Sequence, residues 1–60
     1  MSPLAEQIYR ELKAKPQQFS EIADAHRDAA WRTFLRTWGE LRANNVLKRD
    51  EDGRYLIAGD

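Results

Sequence analysis

The chain has 60 residues, ten Lys or Arg against ten Asp or Glu, and no cysteine. That length gives one domain near the lower limit for unaided folding, burying only about 60% of its unfolded surface, and the missing thiols exclude a disulfide framework or a thiolate metal site. An apolar share of 42% excludes a disordered tail, and no apolar run approaches the roughly 18 residues of a membrane-spanning helix.

In chain order, Ser2–Pro3 is a helix-start signal: the hydroxyl can accept an orphan N–H, and proline at the first helical position loses no hydrogen bond. Leu4, Ile8 and Leu12 then recur every four residues, with Glu6 and Arg10 as an outer i,i+4 pair. Lys15–Pro16 ends this helix, predicted over residues 3–14, because the residue before proline is pushed out of the helical region. The same N-terminus reaches an acidic residue at once and has no signal-peptide core, so a soluble cytoplasmic protein is expected.

Ser20 is the expected cap of a short second helix over 20–26, with Ile22 and Ala23 turned inward. Asp28 is the expected cap of a third helix over 28–44. Within it Trp31, Phe34, Leu35, Trp38 and Leu41 form the clearest amphipathic stripe in the chain. Arg42 falls inside that stripe by angle, so its methylenes are expected to run along the core. Asn44–Asn45 offers a left-handed stop. A hairpin over 46–57 follows, with short β-type runs at Val46–Arg49 and Arg54–Ile57 and Asp52–Gly53 in the turn. Such a ribbon is unstable alone and must lie against the helices. The fold class expected is therefore mainly α with a small β-hairpin, an α+β domain.

Neutral overall, the chain is uneven in charge. Residues 26–49 hold Arg27, Arg32, Arg36, Arg42, Lys48 and Arg49 against Asp28 and Glu40, a local +4 within a total of zero. The residues around the hairpin turn, Asp50, Glu51 and Asp52, are acidic. Any attraction to a polyanion must come from one face.

Phe19-Ser-Glu-Ile-Ala-Asp before a long helix ending Leu41-Arg-Ala-Asn-Asn-Val-Leu-Lys-Arg, then a turn and Arg54-Tyr-Leu-Ile, resembles the winged helix-turn-helix superfamily of bacterial transcription regulators. The second helix there often opens with Ser/Thr-x-x-Ile/Leu-Ala, which residues 20–23, Ser-Glu-Ile-Ala, resemble with one intervening position fewer. The third commonly closes with Leu-x-x-x-Gly-Leu-Ile-x-Arg, matched by residues 41–49 with Asn45 in place of glycine. The resemblance spans residues 3 to 57 and is built from loose motifs, so it bears on architecture more than activity. It departs from the pattern in two places. The Ala25-His-Arg-Asp-Ala-Ala connection lacks a small-residue turn, and the wing tip is acidic where DNA-binding wings carry Arg or Lys.

What the resemblance implies is a third helix that enters the major groove of duplex DNA. Arg32 and Arg36 are then the base-reading candidates, with Thr33 for phosphate or a thymine methyl group. The blander reading is a solvated helix face with Arg36 loosely paired to Glu40. Arg27, Lys48, Arg49 and Arg54 are flanking phosphate candidates. About four or five such contacts imply salt-sensitive binding on the order of micromolar, which a homodimer would strengthen. Trp31 and Trp38 exceed what so small an interior readily encloses, so one of them is a candidate interface residue for a second copy or a protein partner. A protein-interaction module with no nucleic-acid binding is the competing reading.

His26 is expected at the surface or as a cap. Asp50–Asp52 lacks the ligand spacing of a calcium loop. With one histidine, no cysteine and no glycine-rich phosphate loop, the sequence points to no enzyme, no cofactor and no metal.

Overall fold

The computed structural model describes residues 1–58. Helix α1 spans Pro3–Ala14, α2 Phe19–Ala25 and α3 Trp31–Ala43, followed by strands β1, Leu47–Arg49, and β2, Tyr55–Ile57. The domain is thus mainly helical with one small antiparallel hairpin. No helix among the described residues is long and apolar enough to cross a membrane.

Helix α1 starts as its sequence requires. The Ser2 hydroxyl accepts the Ala5 N–H at 3.2 Å, and Pro3 occupies the first helical position. Ala5, Ile8 and Leu12 are its buried residues, one stripe at helical spacing. The helix stops at Lys15, whose backbone is extended ahead of Pro16.

Helix α2 begins one residue earlier than expected, and Ser20 is not its cap. Gln18 takes that position, and its N–H donates to the Glu21 carboxylate at 2.9 Å. A carboxylate three residues inside the helix outcompetes a hydroxyl that lies already within the first turn. Helix α3 begins later than expected, and Asp28 does not cap it. Residues 26–28 form a turn, the Ala29 N–H bonds back to the His26 carbonyl, and Ala30 precedes the first helical residue without a side-chain cap. The physical reason is His26. It is buried rather than on the surface, and its Nε2 lies 2.8 Å from Glu11 Oε1 on α1. Turning that ring inward at the end of α2 breaks the helical path before α3.

Asn45 adopts φ 57° just past α3, the left-handed exit expected of the Asn44–Asn45 pair. In the hairpin, Leu47 pairs with Ile57, Lys48 with Leu56 and Arg49 with Tyr55. Gly53 supplies φ 80° at the turn, which a side chain would resist. The Asp50 carboxylate accepts the N–H groups of Asp52 and Arg54 at 2.9 and 2.8 Å, so this acidic residue is a structural element of the turn. The other edge of β2 pairs with Gln17, through bonds of 3.0 and 2.6 Å between Gln17 and Tyr55. The α1–α2 connection thereby anchors the hairpin.

The core is Ala5, Ile8, Leu12, Ile22, Phe34, Trp38 and Leu41. Phe19 meets Phe34 and Trp38 edge-on, with centroids 5.7 and 5.1 Å apart, and Trp38 meets Tyr55 at 4.9 Å. Each such pair adds about 0.5–1.5 kcal/mol beyond its buried area, and together they join α2, α3 and the hairpin. Thr37 is buried as well, its hydroxyl donating to the Thr33 carbonyl at 2.8 Å. The two tryptophans separate: Trp38 is inside, and Trp31 is 59% exposed. Leu35 at 45% and Arg42 are also outside. The buried side of α3 is therefore rotated from the stripe expected, with Thr37 in place of Leu35, Trp31 and Arg42.

Candidate nucleic-acid interface

Successive side chains turn by about 100° around a helix, so burial of Phe34, Thr37, Trp38 and Leu41 fixes what α3 shows to solvent. Directly opposite lie Arg32, Arg36, Gly39 and Ala43, all exposed. Trp31, Leu35 and Arg42 form the edge nearer the hairpin, and Thr33 and Glu40 form the edge nearer the start of α1. Arg32 and Arg36 stand one turn apart, about 6 Å along the axis.

Neither arginine makes an ion pair with a described residue. The Arg36–Glu40 pairing of the blander reading does not form, because Glu40 faces elsewhere: its Oε1 accepts the Ser2 N–H at 2.8 Å. That backbone bond holds its carboxyl below the usual carboxylate range, helped by the Ser2 hydroxyl and the N-terminal ammonium and opposed by partial burial. The edge of the face beside α1 therefore carries a fixed negative charge. Thr33, exposed, lies near it along a shallow groove with Ser2, Leu4 and Arg36.

The flanking cations are dispersed. Arg49 lies over the Tyr55 ring, 5.5 Å from its centroid, on the strand face it shares with Leu47. It borders a shallow cleft with Arg42, Asn45 and Tyr55. Lys48 alternates to the other hairpin face with Leu56. Arg27 stands in the turn before α3, 3.9 Å from Asp24 with both groups exposed, a pair worth little in water. Arg54 is held by Asp52 at 3.1 Å beside the hairpin tip.

Of the residues expected at the site, α3 brings Arg32, Thr33 and Arg36 to its exposed side, while Arg27 and Arg54 sit against local carboxylates. Arg42 joins Arg49 at the cleft, a role hidden in the sequence because the apolar stripe appeared to absorb it. Its position follows once Thr37, with its hydroxyl satisfied by the preceding turn, is taken as the inward residue. Among the described residues no group of three or more His, Cys, Asp or Glu side chains could hold a metal ion. No protein-family model, curated protein or solved structure matches the chain.

Proposed function

We propose that this chain is a small winged-helix DNA-binding protein of the transcription-regulator type, with the exposed side of α3 lying in the major groove. The observation that carries the reading is Arg32 and Arg36, one turn apart on an exposed helix face and unpaired with any described carboxylate. Like charges at that spacing oppose helix formation by a few tenths of a kcal/mol, a cost that a polyanion along the face reverses. Arginine at such a position can pair bidentately with guanine O6 and N7. Thr33 supplies a phosphate or methyl contact at the edge.

In this reading the hairpin is the wing. Its tip carries Asp50, Glu51 and Asp52, so base contact from the tip is no part of the proposal. Backbone contact falls to Lys48 and Arg49, and to Arg27 and Arg54 once they exchange Asp24 and Asp52 for phosphate. A duplex ligand would place the protein where DNA is held, the cytoplasm of a bacterial cell. A second reading, an interaction module for another protein, is favoured by the exposure of Trp31 and Leu35.

Titration of a mixed-sequence duplex at low salt separates them. DNA binding predicts micromolar-range affinity whose logarithm falls linearly with log salt, by about 0.9 per phosphate contact. Arg32→Ala with Arg36→Ala should abolish it while the melting temperature stays put. A flat titration down to the lowest salt would sink the DNA reading and leave the interaction module.

A further inference from the structure

Strand β1 pairs on one side only, with β2. The Asp50 N–H bonds to the Arg54 carbonyl at 2.9 Å and the Ala58 N–H to the Val46 carbonyl at 2.7 Å. Bonded and non-bonded pairs alternate along an antiparallel ladder. With Leu47 opposite Ile57 and Arg49 opposite Tyr55, the backbone groups of Leu47 and Arg49 therefore point away from β2. Tyr55 shows the same alternation on the far edge, where its N–H and carbonyl bond to Gln17. On the β1 edge the N–H and C=O groups of Leu47 and Arg49 have no hydrogen-bond partner among the described residues. Two donors and two acceptors thus stand in a row.

That edge borders the cleft between the end of α3 and the hairpin. Arg42, Asn45, Leu47, Lys48, Arg49 and Tyr55 line it, three cations and no carboxylate. None of the three cations has an ion-pair partner among the described residues. Asp50, next along the chain, does not balance them, because its carboxylate is committed to the N–H groups of Asp52 and Arg54.

We propose that the open edge of β1 docks an extended acidic segment of another protein, added antiparallel as a third strand. The alternation of donors and acceptors selects a peptide backbone, which answers both. A phosphodiester only accepts and would leave both carbonyls without a partner. Charge selects the acid. On the added strand the side chain opposite Arg49 points into the cleft that Arg42 also borders, and the side chain opposite Lys48 points to the outer face. Carboxylates at those two positions each meet a cation across the strands, and an apolar side chain opposite Leu47 extends its surface. A second copy of β1 does not suit the edge. Pairing about Lys48 or about Arg49 sets like charges directly opposite, and pairing about Leu47 brings in Asn45, whose φ of 57° leaves the strand. The short, cationic edge is thereby guarded against its own kind and open to an acidic strand. The site uses neither the Arg32–Arg36 face nor Trp31 and Leu35.

Amide NMR of the isotope-labelled chain tests it, titrated with the end-blocked peptide Thr-Glu-Glu-Val-Thr. So short an edge binds weakly, with a Kd on the order of 1 mM, so the titration runs to about 5 mM. There the Leu47 and Arg49 amides should shift and exchange with solvent about fivefold more slowly, by mass action. The Lys48 amide, already directed to β2, should change less. The same peptide N-methylated at valine and at the first glutamate keeps its charge and should not bind. Lysine in place of both glutamates should abolish binding as well. Arg42→Ala and Arg49→Ala should each weaken it about two- to fivefold, as exposed charge pairs do, with the helical circular dichroism retained. Equal binding of the N-methylated peptide would leave only general charge attraction and overturn the proposal. Amides unmoved at the top of the range overturn it equally, also where a short duplex proves to fill the cleft. Arg32→Ala with Arg36→Ala should leave the peptide titration within about twofold of wild type, so this proposal and the duplex reading fail separately.

Discussion

The two sides of α3 belong to the same 13-residue helix, yet different physics chose them. Phe34, Thr37, Trp38 and Leu41 face inward, where every polar atom needs a partner and every ring needs a neighbour. Trp31, Arg32, Leu35, Arg36, Gly39 and Arg42 face outward, where neither demand applies. Hydrophobicity alone would exchange Thr37 for Leu35. The exchange does not occur because Phe34 and Trp38 join Phe19 and Tyr55 in one aromatic cluster, which sets the rotation of the helix. Thr37 tolerates the consequence by bonding to Thr33 O, leaving no buried orphan. The inner side is thus explained by the fold. The outer side, with its unpaired arginines, exposed indole and unneeded glycine, is not, and that difference is what directs attention to binding.

The comparison breaks most visibly at Phe34, which is 1% exposed and touches rings on both sides. Phe34→Ala should cost about 3–5 kcal/mol, as much as the roughly 3–5 kcal/mol that a core of this size supplies in total. The variant should be largely unfolded at 25 °C by circular dichroism. Trp31→Ala removes a larger ring that is 59% exposed and stacks on Phe34 from the outside, so it should cost about 0.5–1.5 kcal/mol in a urea titration, well short of Phe34→Ala. Similar losses for both would mean that the sides are not energetically distinct.

Much of this was legible in the sequence where a local rule decides the outcome. Ser2–Pro3 fixed the start of α1, Lys15–Pro16 its end, Asn45 the exit from α3 and Gly53 the hairpin turn. The misjudged features depend on partners distant in sequence. His26 turns inward because Glu11 waits 15 residues earlier, and that turn delays α3. Gln17 bonds to Tyr55 across 38 residues of chain, which no periodicity announces. The rotation of α3 depends on Phe19 and Tyr55, so Arg42 appeared to belong to the core. Arg32 and Arg36 were readable as surface residues because they lie far from any apolar stripe, whichever way the helix turns.

A smaller effect sharpens the outer side alone. Gly39→Ala adds a methyl group to open space and should stabilise the monomer by about 1 kcal/mol through helix propensity. For a domain of this size that raises the melting temperature by about 4–8 °C. A lower melting temperature would show that the fold itself requires glycine there.

The smallest effect lies at Glu40, on the boundary between the sides. Its carboxylate accepts the Ser2 N–H and ties the start of α1 to α3, which holds its pKa below the ordinary value of 4.5. Because the folded value is the lower one, ionised Glu40 contributes its stability in full above the unfolded value. The contribution fades as pH falls through the folded value, once the carboxyl is protonated in both states. Glu40→Gln keeps an acceptor oxygen but no charge. Its urea midpoint should therefore lie below that of wild type at pH 7, and the gap should close as the pH is taken below about 4. Subtracting one protein from the other cancels the remaining carboxylates, which titrate in both. A gap that stays constant down to pH 2 would mean that the Ser2 contact does not depend on the charge of Glu40.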